Sequence, residues 1–518
     1  MIYKVCLLYD DDFAGEGIIS LFRFTFTDQV NEIIVRNAKA RMTDTEIVLN
    51  EIYQFLQSKR RKDMIDGEHY FKGQHDILKR ERLVIGSDGK LEPVENLPNN
   101  RIIDNQYKKM VNQKVNYLLG QPFSVYTMND QYSLILKGFF NKQFMRLLKN
   151  VGRDSINGGI GWLFLYYDEN GDFSFKRLRP YEIIAGWRDD EHTILDYAIR
   201  IYEIIAYEGR NEKTVKKVEV YHETGINRFI LDGSQLVPDE KPHEPYFTVT
   251  EGNVEEFYNW LRIPLIPFKF NSDEIPLIKN VKSLQDGLNL ILSNFQNNME
   301  EDTRNTILVL VNYDGENLAE FRKNLSVYGA VKVRTIDNAP GDVRTLQIEV
   351  NAENYKAIIE IFKKAIIENA MGYDAKDDRL GSNANQLNIM SMYSDIDLDA
   401  NEMETEYQAS FEELLYFINL HLVNTGAGNF ENEQFQIIFD RDMLISESDI
   451  ITNINNSMGI LSEETLVAQH PWVDDPQLEM ARKEAESQKR VDVYNDVFPK
   501  QNTNADEGND YGDNSKQS

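Results

Sequence analysis

From Ser382 to Asn424 the chain contains no proline and no glycine. Ile389, Tyr393, Ile396, Ala400, Met403, Tyr407, Phe411, Leu414 and Ile418 fall there at steps of three or four, the spacing that sets side chains on one face of an α-helix. A helix over that span is on the order of 60 Å long. One narrow apolar stripe on so long a rod predicts helices packed side by side rather than the core of a single subunit.

The stretch before it reads as a second helix and a connection. Tyr355, Ile358, Ile359, Phe362, Ala365, Ile366 and Ala370 recur at helical spacing, and Gly372 supplies the stop. The ten residues Gly372-Tyr-Asp-Ala-Lys-Asp-Asp-Arg-Leu-Gly381 are too polar to pack, and Ser382 can cap the long helix.

A length of 518 residues predicts about two to four domains. The net charge of −29 and pI near 4.7 argue against coating nucleic acid by phosphate neutralisation, which needs the opposite sign. Cys6 is the single cysteine, so an intramolecular disulfide is excluded, as is a cysteine-rich metal site. The seven histidines never form a ligand-spaced pair such as HxxxH, so no metal or other cofactor is expected. No apolar run reaches membrane-spanning length. The apolar start Met1-Ile-Tyr-Lys-Val-Cys-Leu-Leu-Tyr meets Asp10-Asp11-Asp12, the wrong flank for a signal peptide, so the chain reads as intracellular. Residues 1–41 read as a leader detached in composition from the rest of the chain, and Met42 offers an alternative start.

Taken in order, residues 43–61 carry a helical pattern capped near Thr43 or Asp44, and a second helix is expected around 63–77. Residues 86–100 read as loop. Ile102, Tyr107, Val111, Val115 and Leu118 mark a helix ended by Gly120 and Pro122, and 133–157 predicts one further helix. The period then changes to two. Runs at 162–167, 172–177, 193–202, 215–223 and 228–231, separated by turns such as Asn170-Gly171 and Asp232-Gly233, predict an antiparallel sheet. Residues 234–256 read as a polar linker and 263–270 as a proline-punctuated strand.

Next comes a helix over 276–303, with an acidic C-terminal end that opposes its own dipole: either a functional surface or a solvated end. Residues 306–350 read as a β-α-β-β insert between two helices. Beyond the long helix come a strand at 435–439 and three helices over 446–490. The last of these begins at Asp475-Pro476, and Trp472 is expected in the core of the cluster. The composition after 490 predicts a disordered tail, 491–518. The fold class expected is α+β, mostly helical.

Several segments together resemble the portal protein of tailed bacteriophages, in the siphophage-type branch of Gram-positive hosts. They are Asn112-Gln-Lys-Val-Asn-Tyr-Leu-Leu-Gly-Gln-Pro122, Ile263-Pro-Leu-Ile-Pro-Phe268, Ser382-Asn-Ala-Asn-Gln-Leu387, Asp397-Leu-Asp-Ala-Asn-Glu-Met-Glu-Thr-Glu-Tyr407, Gly459-Ile-Leu-Ser-Glu-Glu-Thr465 and His470-Pro-Trp-Val-Asp-Asp-Pro-Gln-Leu-Glu479. Each is weak alone. Their order and spacing carry the resemblance over roughly 100–490.

The resemblance implies a homo-oligomeric ring, typically a 12-mer, at one capsid vertex of a virion assembled in the host cytoplasm. Double-stranded DNA enters and leaves through the central channel. The implied partners are the terminase large subunit, a head-completion adaptor protein, and the major capsid and scaffolding proteins, with no membrane. The implied regions are a wing (42–270), stem helices (271–305 and 351–371), a clip (306–350) and a tunnel loop (372–383). The long helix and return strand of the wing (384–440) and crown helices (441–490) complete them. Twelve copies carry about 350 negative charges, so the channel should repel phosphate over much of its length.

Lys376 and Arg379, with Asn383 and Asn385, are the tunnel-loop candidates for transient contact with the DNA backbone; the alternative is an ordinary exposed loop. Lys323, Lys332, Arg334 and Arg344 are the clip candidates to face the motor, the alternative being a solvated face. Two other functions stay open on the sequence. One is a non-viral oligomeric scaffold of long helices. The other is a metal-dependent phosphoryl transferase using the pairs Asp189-Asp190, Asp377-Asp378 and Asp474-Asp475, which lie far apart in sequence. No GxxxxGK[ST], GxSxG or HExxH motif occurs, so an enzyme is not expected.

Overall fold

The computed structural model describes residues 43–85, 89–93, 97–251, 254–302, 307–311, 342–346, 352–374, 386–441, 447–473 and 475–497. The chain divides into two compact units, Met1–Lys376 with Met392–Asp442, and Asp377–Ser391 with Met443–Ser518. Helix outweighs strand among the described residues, and every sheet pairing is antiparallel.

In the first unit, helix α1 spans Asp44–Gln57 and α2 spans Lys59–Phe71. Thr43 and Glu46 form a reciprocal capping box at the start of α1. The single helix expected over 43–61 is broken at Ser58. That residue is extended, and its hydroxyl accepts the Arg61 N–H, so it ends one helix and starts the next. The stretch expected to be loop from 86 contains one arm of a short hairpin, β1 (Leu83–Ile85) with β2 (Leu91–Pro93).

Helix α3 (Gln106–Leu119) starts later than its apolar pattern, at the cap Asn105. Strand β3 (Ser124–Thr127) comes after it. The helix expected over 133–157 is two, α4 (Asp130–Phe139) and α5 (Lys142–Gly158). Asn141 separates them because its side chain accepts the N–H groups of Gln143 and Phe144.

The strands β4 (Ile160–Tyr167), β5 (Phe173–Leu178), β6 (Ile183–Trp187), β7 (Leu195–Glu208), β8 (Asn211–His222), β9 (Gly225–Asp232) and β10 (Gln235–Glu244) come next. They are followed by β11 (Phe247–Glu251), β12 (Val254–Tyr258) and β13 (Leu265–Lys269). One sheet runs β10-β9-β8-β7-β6, and a second runs β13-β4-β5. Val48 and Ile52 of α1 pack on the first sheet through Ile184, Ile199, Ile201, Val218 and Val220.

The polar linker expected over 234–256 is therefore overturned. It holds β10 and the β11–β12 hairpin. β10 is an edge strand with Pro238 and a register shift before His243, and its side chains are mostly exposed. An edge strand of this kind lacks the apolar alternation that marks a buried one.

Helix α6 (Ile278–Asp302) leads to the strand pair β14 (Ile307–Val311) and β15 (Asp342–Leu346), and then to α7 (Ala352–Asn369). The helix and the third strand expected inside 312–341 lie outside the described residues. Helix α8 (Gln386–Asn424) is the long rod, 39 residues. Strand β16 (Phe435–Ile438) pairs with β3.

The stripe on α8 does not await a neighbouring copy. Tyr393, Ile396, Ala400, Met403, Tyr407, Phe411, Leu414 and Ile418 are all buried in their own chain. Phe411 sits among the rings of Phe123, Phe140, Phe268 and Phe439. Tyr407 shares a 2.8 Å hydrogen bond with Ser155 of α5, and the Ser410 hydroxyl donates to the Pro267 carbonyl at 2.6 Å. The side-by-side packing expected of this stripe is thus replaced by one core built from α3, α5, β4, β13 and α8.

In the second unit lie α9 (Glu447–Ser457), α10 (Glu463–Ala468) and α11 (Pro476–Val497). Ser462 caps α10, and the Asp475 carboxylate accepts from the N–H groups of Gln477 and Leu478 in the first turn of α11. Trp472, expected in a core, is 71% exposed, because the His470–Trp472 turn carries it outward with its ring against that of His470. α11 continues through 491–497, seven residues into the stretch expected to be tail. Residues 1–42 and 498–518, with the leader and the rest of the tail, lie outside the described residues.

Candidate functional site

Helices α6 and α7 form an antiparallel pair. Phe295 meets Tyr355 at 5.0 Å between ring centres, Asn298 donates to the Tyr355 hydroxyl at 2.9 Å, and Gly287 lies under Phe362. A Cβ at 287 would come within 2.5 Å of the Phe362 ring, so the two helices approach this closely only with glycine there.

The opposite face of α6 is polar and buried. Gln285, Asn289, Ser293 and Asn297 recur every four residues and accept, in turn, the backbone N–H groups of Tyr107, Asp104, Ile102 and Asn100 at 3.0, 3.1, 2.9 and 2.7 Å. Four helical residues rise about 6.0 Å, and two extended residues about 6.6 Å. The side chains therefore keep step with alternate residues of the segment 100–104, and one helix face takes the place of a neighbouring strand.

The remaining valences close as well. The Gln285 amide donates to the Asp104 carbonyl and to Asn289, and Asn289 donates to His75 Nδ1 at 2.8 Å. His75 Nε2 then donates to the Tyr70 carbonyl at 3.1 Å, which fixes a neutral ring. Burial holds the His75 pKa below its usual value, in keeping with that tautomer. Glu300, read in the sequence as a dipole violation, accepts from Asn100 at 3.0 Å and from Gln296 at 3.1 Å at the far end of this ladder.

Both roots of the pair carry left-handed residues that are not glycine. Glu274, ahead of α6, has φ +54°, and Met371, after α7, has φ +48°. The Glu274 carboxylate is buried, paired with Arg60, and 2.6 Å from Nδ1 of His192, itself at φ +56°. At Met371 the chain closes a Schellman turn: Gly372 N–H bonds to the Ile367 carbonyl at 2.9 Å and Met371 N–H to Glu368 at 3.1 Å. The helix stop expected at Gly372 thus falls one residue earlier.

Lys376, Arg379, Asn383 and Asn385 lie outside the described residues, as do Lys323, Lys332 and Arg334. Arg344 is described by its backbone, on β15 opposite Val309. The two flanks of the segment 375–385 are brought together: the rings of Tyr373 and Tyr393 are 4.6 Å apart. Of the acidic pairs, Asp189 closes its own turn by accepting from Thr193 and Ile194. Among the described residues no three His, Cys, Asp or Glu side chains converge as a metal site would require.

The polar ladder escaped the sequence reading, which followed the apolar positions of the same helix. Its signal was present as four amide or hydroxyl residues at intervals of four.

The chain matches the family described as phage portal protein, SPP1 Gp6-like, over residues 55–492. It is 27% identical over 496 residues to the portal protein of Bacillus phage SPP1, covering 94% of each chain. It is 26% identical over 453 residues to the portal protein of Clostridium phage phiCD119, covering 84% of this chain and 96% of the relative.

Proposed function

Because the chain belongs to the SPP1 Gp6-like family of phage portal proteins, we propose that its copies form a ring at one vertex of a phage capsid. The ring is the conduit for packaging double-stranded DNA by the terminase and for ejecting it, and the seat of the head-completion and tail proteins. The observation that carries this reading is the near end-to-end match to a portal protein, 94% of each chain. The role is structural, with no catalytic step and no cofactor.

Within this reading α6 and α7 are the stem, the insert between them the clip, the segment after α7 the tunnel loop, and α9–α11 the crown. The surface left for a neighbouring copy supports the stem assignment. Ile358 and Ile361 on α7 and Leu290 and Met299 on α6 are 41–64% exposed, while the α8 stripe is consumed internally. Repeated head-to-tail contact of such a face closes a ring when the rotation between copies divides a full turn. An excess of acid, −29 per chain, suits a bore through which a polyanion slides without being held.

The test is an image of the purified protein at micromolar concentration. Rings of twelve or thirteen subunits with an open axial hole are expected; a strictly monomeric particle overturns the reading. In assembled heads, Lys376→Glu with Arg379→Glu should leave the ring intact and lower packaging. Equal packaged DNA removes those two cations from the mechanism.

A further inference from the structure

We propose that one turn of α3, through Gln113, Lys114 and Tyr117, is the positioning element for the DNA-facing segment after α7, gripping both of its flanks at one neck. This rests on the conduit reading for its consequence, though not for its geometry.

The contacts divide evenly between the flanks. On the incoming side, the Gln113 side-chain amide donates to the Tyr373 carbonyl at 2.9 Å, and Lys114 Nζ donates to the Met371 carbonyl at 3.2 Å. On the outgoing side, the same ammonium meets Asp399 Oδ2 at 2.6 Å, and the Tyr117 hydroxyl donates to the Asp397 carboxylate. Tyr393 stacks between Tyr117 at 5.7 Å and Tyr373 at 4.6 Å. Gly372 makes room for the grip: a Cβ there would lie 2.6 Å from Met110 Sδ and 3.2 Å from the Gln113 side-chain oxygen.

Lys114 is the informative member. Its side chain is 2% exposed, in a part of the fold where an apolar residue would pack at less cost. What an apolar residue lacks is three donors on one atom, and two of them reach partners more than twenty residues apart in sequence, one on each flank. Arg441 repeats the device on the outgoing side, spanning Asp397 and Glu404 at 2.8 Å each and also reaching Asn401. Residues 371–373 and 393–399 are thereby fixed to one helix and to each other. An exposed loop of no consequence does not call for a buried cation at its root.

The decisive variant is the paired change Lys114→Met with Asp399→Leu. It removes both charges together, so neither is left buried without a partner. In rings of this variant, trypsin cleavage after Lys376 and Arg379 should rise about tenfold over wild type, with cleavage elsewhere unchanged, and packaged DNA should fall. Lys114→Arg, which keeps a multivalent donor, should restore slow cleavage. Wild-type cleavage in a folded, ring-forming double variant overturns the neck, and fast cleavage with full packaging overturns its positioning role. Should the double variant not fold, Gln113→Ala gives the same readouts through the Tyr373 tie alone. Failure of wild-type protein to form rings at all would fall on the conduit reading, since the cleavage comparison can be made on monomers.

Discussion

Asp104 gives its backbone N–H not to another strand but to the side-chain oxygen of Asn289, 3.1 Å away on a helix. Asn289 in turn holds Gln285 and His75, so its amide is the centre of a closed buried network. Replacing it with leucine keeps the volume and leaves the Asp104 N–H, the His75 ring nitrogen and one Gln285 donor without partners. The expected cost is about 3 kcal/mol. Ser293→Ala, which orphans only the Ile102 N–H, should cost about 1–2 kcal/mol. Thermal melts give the order. Hydrogen exchange at Asp104 and Ile102 tests the cause, since each amide should exchange faster in its own variant.

The two roots of the α6–α7 pair respond oppositely to glycine. Met371 is left-handed and over a third exposed, so Met371→Gly removes strain and little packing. A gain of about 0.5–1 kcal/mol is expected. Glu274 has nearly the same φ, yet its carboxylate holds Arg60 and His192. Glu274→Gly should therefore lose stability by about 2 kcal/mol or more despite the easier backbone. Equal and positive shifts in melting temperature for both would show that strain dominates and the buried carboxylate contributes nothing.

A buried carboxyl on α8 gives a pH signature. Burial raises the Glu413 pKa to about 7, against a partial opposing effect of Arg262. Its folded value lies above the unfolded one, so the folded state takes up the proton first. Stability from this group then rises as pH falls through 7 and is fully present below about 4.5. Glu413→Gln should raise the melting point at pH 8, by the equivalent of about 1–2 kcal/mol, and change little at about pH 4. The same gain at both pH values would mean that packing, not ionisation, is responsible.

Periodicity revealed which residues of α8 are buried but not what buries them. Its stripe from Tyr393 to Ile418 was legible residue by residue, yet the partner is α3, α5 and two strands rather than a second rod. A side-chain period reports a covered face and is silent on whether the cover belongs to the same chain. Edge strand β10 was hidden for a related reason, since a strand with two solvated faces has no alternation to read. Breaks at Ser58 and Asn141 hinge on single side chains that accept backbone N–H groups, and an apolar period passes straight over them. Of the candidate site, the long helix and the polar connection before it were readable. The ties that Gln113, Lys114 and Tyr117 make to that connection join residues more than 250 positions apart, and no local pattern encodes them.

With the α8 stripe buried in its own subunit, two apolar residues on α8 and α7 should behave in opposite ways. Phe411 is fully buried against four other phenylalanine rings, whereas Ile361 on α7 is 64% exposed. Phe411→Ala should destabilise each subunit by about 3–5 kcal/mol, visible in monomer and ring alike. Ile361→Asp removes little buried surface, so the melting point of the isolated subunit should stay within a few degrees of wild type. If α7 faces the next copy, however, the new carboxylate is desolvated at every interface around the ring, and assembly should fail or shift to open arcs. Sedimentation at several protein concentrations separates these outcomes. Intact rings from the aspartate variant would move the subunit contact off this helix, and the exposed isoleucines would then be ordinary surface.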